Sequence, residues 1–197
     1  MTNIQNIYNQ MLTKGRADYE KVGWGSLESQ LERFRILSAI GNLNKCSVLD
    51  VGCGLGGLFN YLNKKNLDVN YTGVDINENM IKTAKKNYPD AKFYCEDICS
   101  NNSILGKKSF DYVFLSGALN LSEDNHENNI ESILKKIFSI SDKGIAVNFL
   151  SIYSDYITPG EYYSNPENVL KLGFSLSKKI VLRHDYMPHD FSLYIYK

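Results

Sequence analysis

The sequence predicts an α/β protein: a doubly wound, mostly parallel seven-stranded sheet with helices on both faces and a C-terminal antiparallel hairpin. Three observations carry this. From about position 46, short apolar or β-branched runs alternate with helix-periodic segments, the pattern of βαβ units. A glycine-dense turn, VLDVGCGLGG (48–57), follows the first of these runs. Near the end, KKIVLRHDY and DFSLYIYK are separated only by MPH. That is too little chain for a crossover, so the two runs must pair antiparallel.

Each element has a local justification. Residues up to about Gly25 are polar and mixed, ending in GWG. In SLESQLERFRILSAI (26–40), Leu27, Leu31, Phe34 and Leu37 or Ser38 form a helical stripe, with Ser26 as N-cap and Gly41 as stop. SVLDVG reads as a strand and GLFNYLNKKN as a helix. VNYTGVD is a strand, NENMIKTAKKNY a helix capped by Asn77, and AKFYCED a strand. FDYVFLSG is rich in aromatic and β-branched residues and reads as the fourth strand. HENNIESILKKIFSIS repeats apolar residues at Ile130, Ile133, Leu134, Ile137 and Phe138, and KGIAVNFLS is the fifth strand. NPENVLKLG places Asn165 at the cap, Pro166 at the first turn and Gly173 at the close of a helix. The expected division is an N-terminal helical lid or cap over 1–44, followed by a ligand-binding domain over 45–197.

Bulk composition narrows the function. Lys+Arg and Asp+Glu cancel at 22 each, so no global field draws the chain to nucleic acid or an anionic membrane. The first residues, MTNIQNIYNQML, lack the basic and apolar regions of a signal peptide, and a cytoplasmic protein is expected. Cys46, Cys53, Cys95 and Cys99 contain no CxxC pair and are expected to be reduced, small buried hydrophobes. No metal site is expected.

The glycine turn poses the question of its ligand. Gly52, Gly54 and Gly57 satisfy GxGxxG, and Asp75 closes the next strand at about the ~20-residue spacing of a ribose-binding acid. A dinucleotide fits this much as well as S-adenosylmethionine does. Three details favour the second: Asp50 precedes the first glycine, a further acid Asp97 precedes Ile98, and the chain closes with the antiparallel hairpin.

With these residues in view, the chain from about Cys46 onward resembles the class I, Rossmann-like S-adenosylmethionine-dependent methyltransferases. VLDVGCGLGG, YTGVDINENMI, FYCEDI and FDYVFLSGALN resemble that family's four motifs in order. The resemblance implies S-adenosyl-L-methionine as cofactor and S-adenosyl-L-homocysteine as product. It implies that Gly52 and Gly54 lie against the methionine moiety, and that Asp50 orients the loop or the cofactor's ammonium. Asp75 would take both ribose hydroxyls. Ile76 and Met80 would sandwich the adenine, with Asp97 at its amino group and Ile98 beside the ring. Ser116 and Gly117 would pass beneath the methionine.

On the acceptor side, the loops after the later strands offer Asn120, Asn148, Tyr153 and Tyr156, then the turn RHDYMPHD. His184, Tyr186 and His189 are the candidate catalytic residues, with Asp185 or Asp190 orienting His184 as a base. Trp24 could stack on a ligand from the lid, while Gln30 or Arg33 could meet the cofactor carboxylate. A small-molecule acceptor methylated at O or N is the leading expectation, because an NPPY-type motif is replaced by LSGALN. A tRNA or protein target stands behind it. A nicotinamide-dependent oxidoreductase, aminopropyl transfer and a non-catalytic interaction module are the rival readings.

Overall fold

The computed structural model describes residues 3–14, 17–122 and 126–197. Positions 1–2 and 15–16 of the expected lid segment lie outside the described residues. Helices α1 (Asn3–Lys14), α2 (Asp18–Lys21) and α3 (Leu27–Ser38) lead into β1 (Ser47–Val51). There follow α4 (Gly57–Lys64), β2 (Asn70–Asp75), α5 (Glu78–Asn87), β3 (Lys92–Cys95) and β4 (Phe110–Leu115). The chain continues through α6 (His126–Ser139), β5 (Ser141–Ser151), β6 (Tyr163–Ser164), α7 (Pro166–Leu176), β7 (Ile180–Met187) and β8 (Asp190–Tyr196).

The sheet runs β3-β2-β1-β4-β5-β8-β7, with the two-residue β6 attached to the end of β5. Strands β1 to β5 are mutually parallel where they pair, and β8 is antiparallel to both neighbours. The mostly parallel sheet and its terminal hairpin are therefore as the sequence implies, and β6 is the one addition. Val51 aligns with Val74 and Leu115, and Asp75 with Cys95. The carboxyl ends thus share one edge, and the order reverses between β1 and β4, the place where open α/β sheets bind ligands.

Strand alternation divides the core between the two faces. Leu49, Val51, Val113, Leu115, Ile145 and Val147 pack with α6 and α7 residues such as Ile130, Leu134 and Val169. Val48, Phe114 and Ala146 point the other way, onto Phe34 and Leu37 of α3, Leu58 and Leu62 of α4, and Ile81 and Ala84 of α5.

Within the N-terminal segment the polar leading residues hold a twelve-residue helix, α1. Three local expectations are corrected. The buried face of α3 is Gln30, Arg33, Phe34, Ile36 and Leu37, while Leu27 and Leu31 are exposed. The cause is distant: Arg33 turns inward to an acid on β8. Helix α7 continues past Gly173 to Leu176. A β-carbon at Gly173 would come within 3.0 Å of Leu193 and 3.1 Å of Ile180, so this glycine admits the sheet rather than ending the helix. Cys95 and Cys99 are exposed, unlike Cys46 and Cys53: Cys95 ends the edge strand β3, and Cys99 lies in the turn that follows it.

Candidate functional site

A cavity of about 1200 Å³ opens at the carboxyl edge of β1, β2 and β4. Its wall includes Asp50, Gly52, Gly54, Asp75, Ile76, Met80, Asp97, Ile98, Ser116 and Gly117. The fold thus brings all ten of these sequence-selected residues to one space. Trp24 and Gln30 also line it.

The glycine loop is shaped by backbone geometry. Gly54 has φ +53°, a conformation that side chains disfavour. Its N–H donates to Asp75 Oδ2 at 2.9 Å, and the N–H of Asn77 donates to Oδ1 at 2.8 Å. The acid ending β2 therefore ties the β1 loop to the start of α5. Val22 lies opposite: its Cγ1 is 3.0 Å from where a Gly54 β-carbon would stand.

Asp50 is buried, with 2% of its surface exposed, and Tyr71 donates its hydroxyl to Oδ2 at 2.7 Å. Burial pushes the Asp50 carboxyl up to about 7, against the Tyr71 hydrogen bond, and the neighbouring Asp75 charge adds to the rise. Asp75 is raised as well, chiefly by burial, with the N–H groups of Asn77, Gly54 and Ile76 opposing. Two carboxylates this close, one fully enclosed, favour a cationic guest over an anionic one.

The rest of the wall is built locally. Asn77 caps α5 by accepting from the N–H groups of Asn79 and Met80, which seats the buried Met80 against the cavity. Asp97 is exposed and accepts from the Cys99 N–H at 2.8 Å. Its neighbour Glu96 holds the following turn through Ser103, Ile104 and Leu105. The Ser116–Gly117 loop hangs from Asn148, whose Oδ1 accepts from Gly117 N–H at 3.0 Å and whose Nδ2 donates to Ser116 Oγ at 3.1 Å. Asn148 is thus a fully buried clamp on the β4 loop rather than a wall residue.

Several selected residues lie off the wall. Arg33 donates from Nε to Asp190 Oδ2 at 2.6 Å and from Nη1 to the Ser29 carbonyl at 3.2 Å. Its guanidinium also stacks on Trp24, 4.5 Å from the ring centroid. Those contacts engage it within the fold, whereas Gln30, one turn earlier, reaches the cavity. His184 is paired with Ser151 Oγ at 2.9 Å and meets Tyr153 edge-on. Asp185 pairs with Arg183, and Asp190 with Arg33. The expected orientation of His184 by either carboxylate is therefore corrected: both acids have arginine partners. Tyr186 donates to Asp190 and meets Ser192. His189 is lowered below the usual imidazole range by burial and by the Arg33 charge, with Glu161 opposing. Tyr153 donates to Glu167 at 2.6 Å, and Tyr156 is 76% exposed. Asn120 keeps its side-chain oxygen buried. Among the described residues, no group of three His, Cys, Asp or Glu side chains converges as a metal site would require, and no helix is long and apolar enough to cross a membrane.

The structure also brings in residues that the motifs do not indicate. Ile4, Gln5 and Tyr8 of α1, with Tyr19 and Val22, form a roof. Gln5 Nε2 donates to the Ile76 carbonyl at 2.8 Å, and Asn77 Nδ2 donates to Asn9 Oδ1 at 3.0 Å. The signal was present in the sequence: Ile4, Ile7, Tyr8 and Met11 follow the i, i+3, i+4, i+7 spacing of an amphipathic helix.

Comparison with known proteins agrees with this architecture. The methyltransferase-domain family model matches residues 42–181. The Mycobacterium tuberculosis protein Rv1506c, named as a methyltransferase, is 28% identical over 158 residues, covering 77% of this chain and 93% of its own length. The fold is similar to magnesium protoporphyrin IX methyltransferase from Synechocystis with bound S-adenosylhomocysteine, at TM-score 0.70 and 14% identity, covering 98% of this chain and 93% of that one. It is equally similar to a methyltransferase from Archaeoglobus fulgidus described as SAM-dependent, at TM-score 0.70 and 18% identity, covering 91% and 97%. With four motifs in order around one cavity and the family model spanning most of the chain, the protein belongs to the methyltransferase-domain family, as a class I S-adenosylmethionine-dependent methyltransferase.

Proposed function

We propose that the protein transfers the methyl group of S-adenosylmethionine to an O or N atom of a small-molecule acceptor. The observation that carries the cofactor placement is the pair of carboxylates on the cavity wall. Asp50 is enclosed and raised to about 7, so a sulfonium or ammonium beside it relieves an electrostatic cost. The pyrophosphate of a dinucleotide would add charge of the same sign. In this reading Asp75 takes the ribose diol and Asp50 faces the amino-acid end. Ile76, Met80 and Ile98 enclose the adenine, Asp97 accepts from its amino group, and the Ser116–Gly117 backbone supports the methionine.

The sulfonium methyl is already activated, so the protein's part is to align an acceptor at about 3–3.5 Å and keep water away. The roof of α1, α2 and Trp24 along the cavity covers part of it, an arrangement suited to a small acceptor. The balanced net charge gives no overall field toward a polynucleotide backbone.

Titration calorimetry with S-adenosylmethionine, S-adenosylhomocysteine and NAD tests the cofactor placement. Micromolar binding of the two adenosyl ligands and none of NAD is expected, and binding of NAD alone would overturn it. Transfer of labelled methyl into a panel of amines, phenols and carboxylic acids, set against transfer RNA, then tests the acceptor class. Label entering only the RNA would remove the small-molecule reading.

A further inference from the structure

The roof contains a polar group, the Tyr8 phenol, for which the fold itself provides no use. Tyr8 sits on the inward face of α1, at i+4 from Ile4 and i+3 from Gln5, and all three line the cavity. The helix is pinned on either side of it. Gln5 donates to the Ile76 carbonyl, while Asn77 and Asn79 both donate to Asn9 Oδ1 at 3.0 Å. The phenol is therefore held by a fixed helix, not carried on a loose terminus. Its hydroxyl has no hydrogen-bond partner among the described residues. It faces the negative charges of Asp75, on the cofactor side, and Glu161, on the segment after β5. Burial and these two charges together raise its pKa, so the group keeps its proton at neutral pH and acts as a donor.

From this placement we infer that Tyr8 is a cofactor-contacting residue, a latch whose hydroxyl hydrogen-bonds to the bound S-adenosyl ligand and so fastens α1 over it. The inference rests on the methyl-donor reading of the cavity. It assigns α1 a direct part in holding the ligand, through a residue outside the four motifs. Tyr8 remains protonated and removes no proton from the acceptor. Its contribution is retention of the ligand and exclusion of water from the chamber.

The test is calorimetric titration of S-adenosylhomocysteine into the wild type, Tyr8→Phe and Tyr8→Ala, with amide hydrogen exchange of residues 3–14 measured with and without that ligand. Removing only the hydroxyl in Tyr8→Phe should weaken binding about three- to ten-fold, the range for one neutral hydrogen bond. The melting temperature of the ligand-free protein should stay at the wild-type value. Tyr8→Ala should weaken binding further. In the wild type the ligand should slow exchange in α1, and in Tyr8→Phe it should slow it less. A purely structural role for Tyr8 would move the melting temperature but not this ligand-dependent protection. Wild-type affinity in Tyr8→Phe, with exchange in α1 indifferent to ligand, overturns the inference while leaving the methyl-donor reading intact. Failure of the wild type itself to bind S-adenosylhomocysteine overturns both.

Discussion

Arg33 and Asp190, 157 residues apart in sequence, meet as a buried ion pair with Nε and Oδ2 at 2.6 Å. Their side chains are 3% and 0% exposed. Around them Trp24 covers the guanidinium, and Tyr186 donates to the carboxylate. This pair joins the helix ahead of the sheet to the strand that completes it.

Breaking one half of such a pair leaves the other charge without compensation. Arg33→Met is expected to destabilise the fold by about 3–5 kcal/mol, read as a lower urea midpoint. The double variant Arg33→Met/Asp190→Leu should recover much of that loss. A double variant no more stable than the single would mean that the surrounding hydrogen bonds, not the charge pair, hold this junction.

Asp75→Ala removes the carboxylate that accepts from Gly54 and Asn77. One charge-assisted interaction lost with the ligand corresponds to about 1.5–3 kcal/mol, so S-adenosylmethionine affinity should fall roughly ten-fold or more. Calorimetry giving an unchanged dissociation constant would place the ribose elsewhere.

Asp50 gives a pH dependence with a definite sign. Its folded pKa is about 7, against 3.8 ordinarily. The folded state therefore holds a proton that the unfolded chain has released. The stability linked to this group is fully present below about pH 4 and is lost as pH rises through about 7. Asn at this position still accepts from Tyr71 and carries no charge. Asp50→Asn should flatten the decline of the ligand-free melting temperature between pH 5 and 8. Parallel curves for variant and wild type would show that Asp50 does not titrate there.

Gly117 has φ +75°, and a β-carbon on it would stand 2.7 Å from Trp24 Cζ2. Gly117→Ala should push the indole aside. Trp24 is the sole tryptophan, so its emission maximum reports this directly, and a red shift is expected together with weaker cofactor binding. An unchanged spectrum would mean that the loop, not the indole, gives way.

The parts legible in the sequence are those governed by short-range rules. Alternating periodicity located β1 to β5, glycine spacing located the loop at 52–57, and side-chain capping located the starts of α3, α5 and α7 at Ser26, Asn77 and Asn165. The errors share a long-range cause. The inward face of α3 depends on Asp190, which local periodicity cannot register. Gly173 looked like a helix stop because its reason for being glycine lies in Leu193 and Ile180 across the interface. Asp185 and Asp190 looked available to histidine until the fold supplied each with an arginine. The stripe on α1 was readable, but its polar surroundings masked it, and its value appears only once Asn77 and Ile76 are placed beneath it.

The position of β8 between β5 and β7 has a bearing on assembly. The β7–β8 hairpin is local in sequence and can form within microseconds, yet β7 reaches the sheet only through β8. Before the hairpin docks, the stretch of β5 from Gly144 to Leu150, which includes Ile145, Ala146, Val147, Phe149 and Leu150, presents an unpaired edge, the kind of surface on which chains pair with one another. Refolding yield should therefore fall as protein concentration rises, even under conditions where the finished molecule is stable. Speeding the docking of that hairpin should protect the yield more than strengthening the rest of the core.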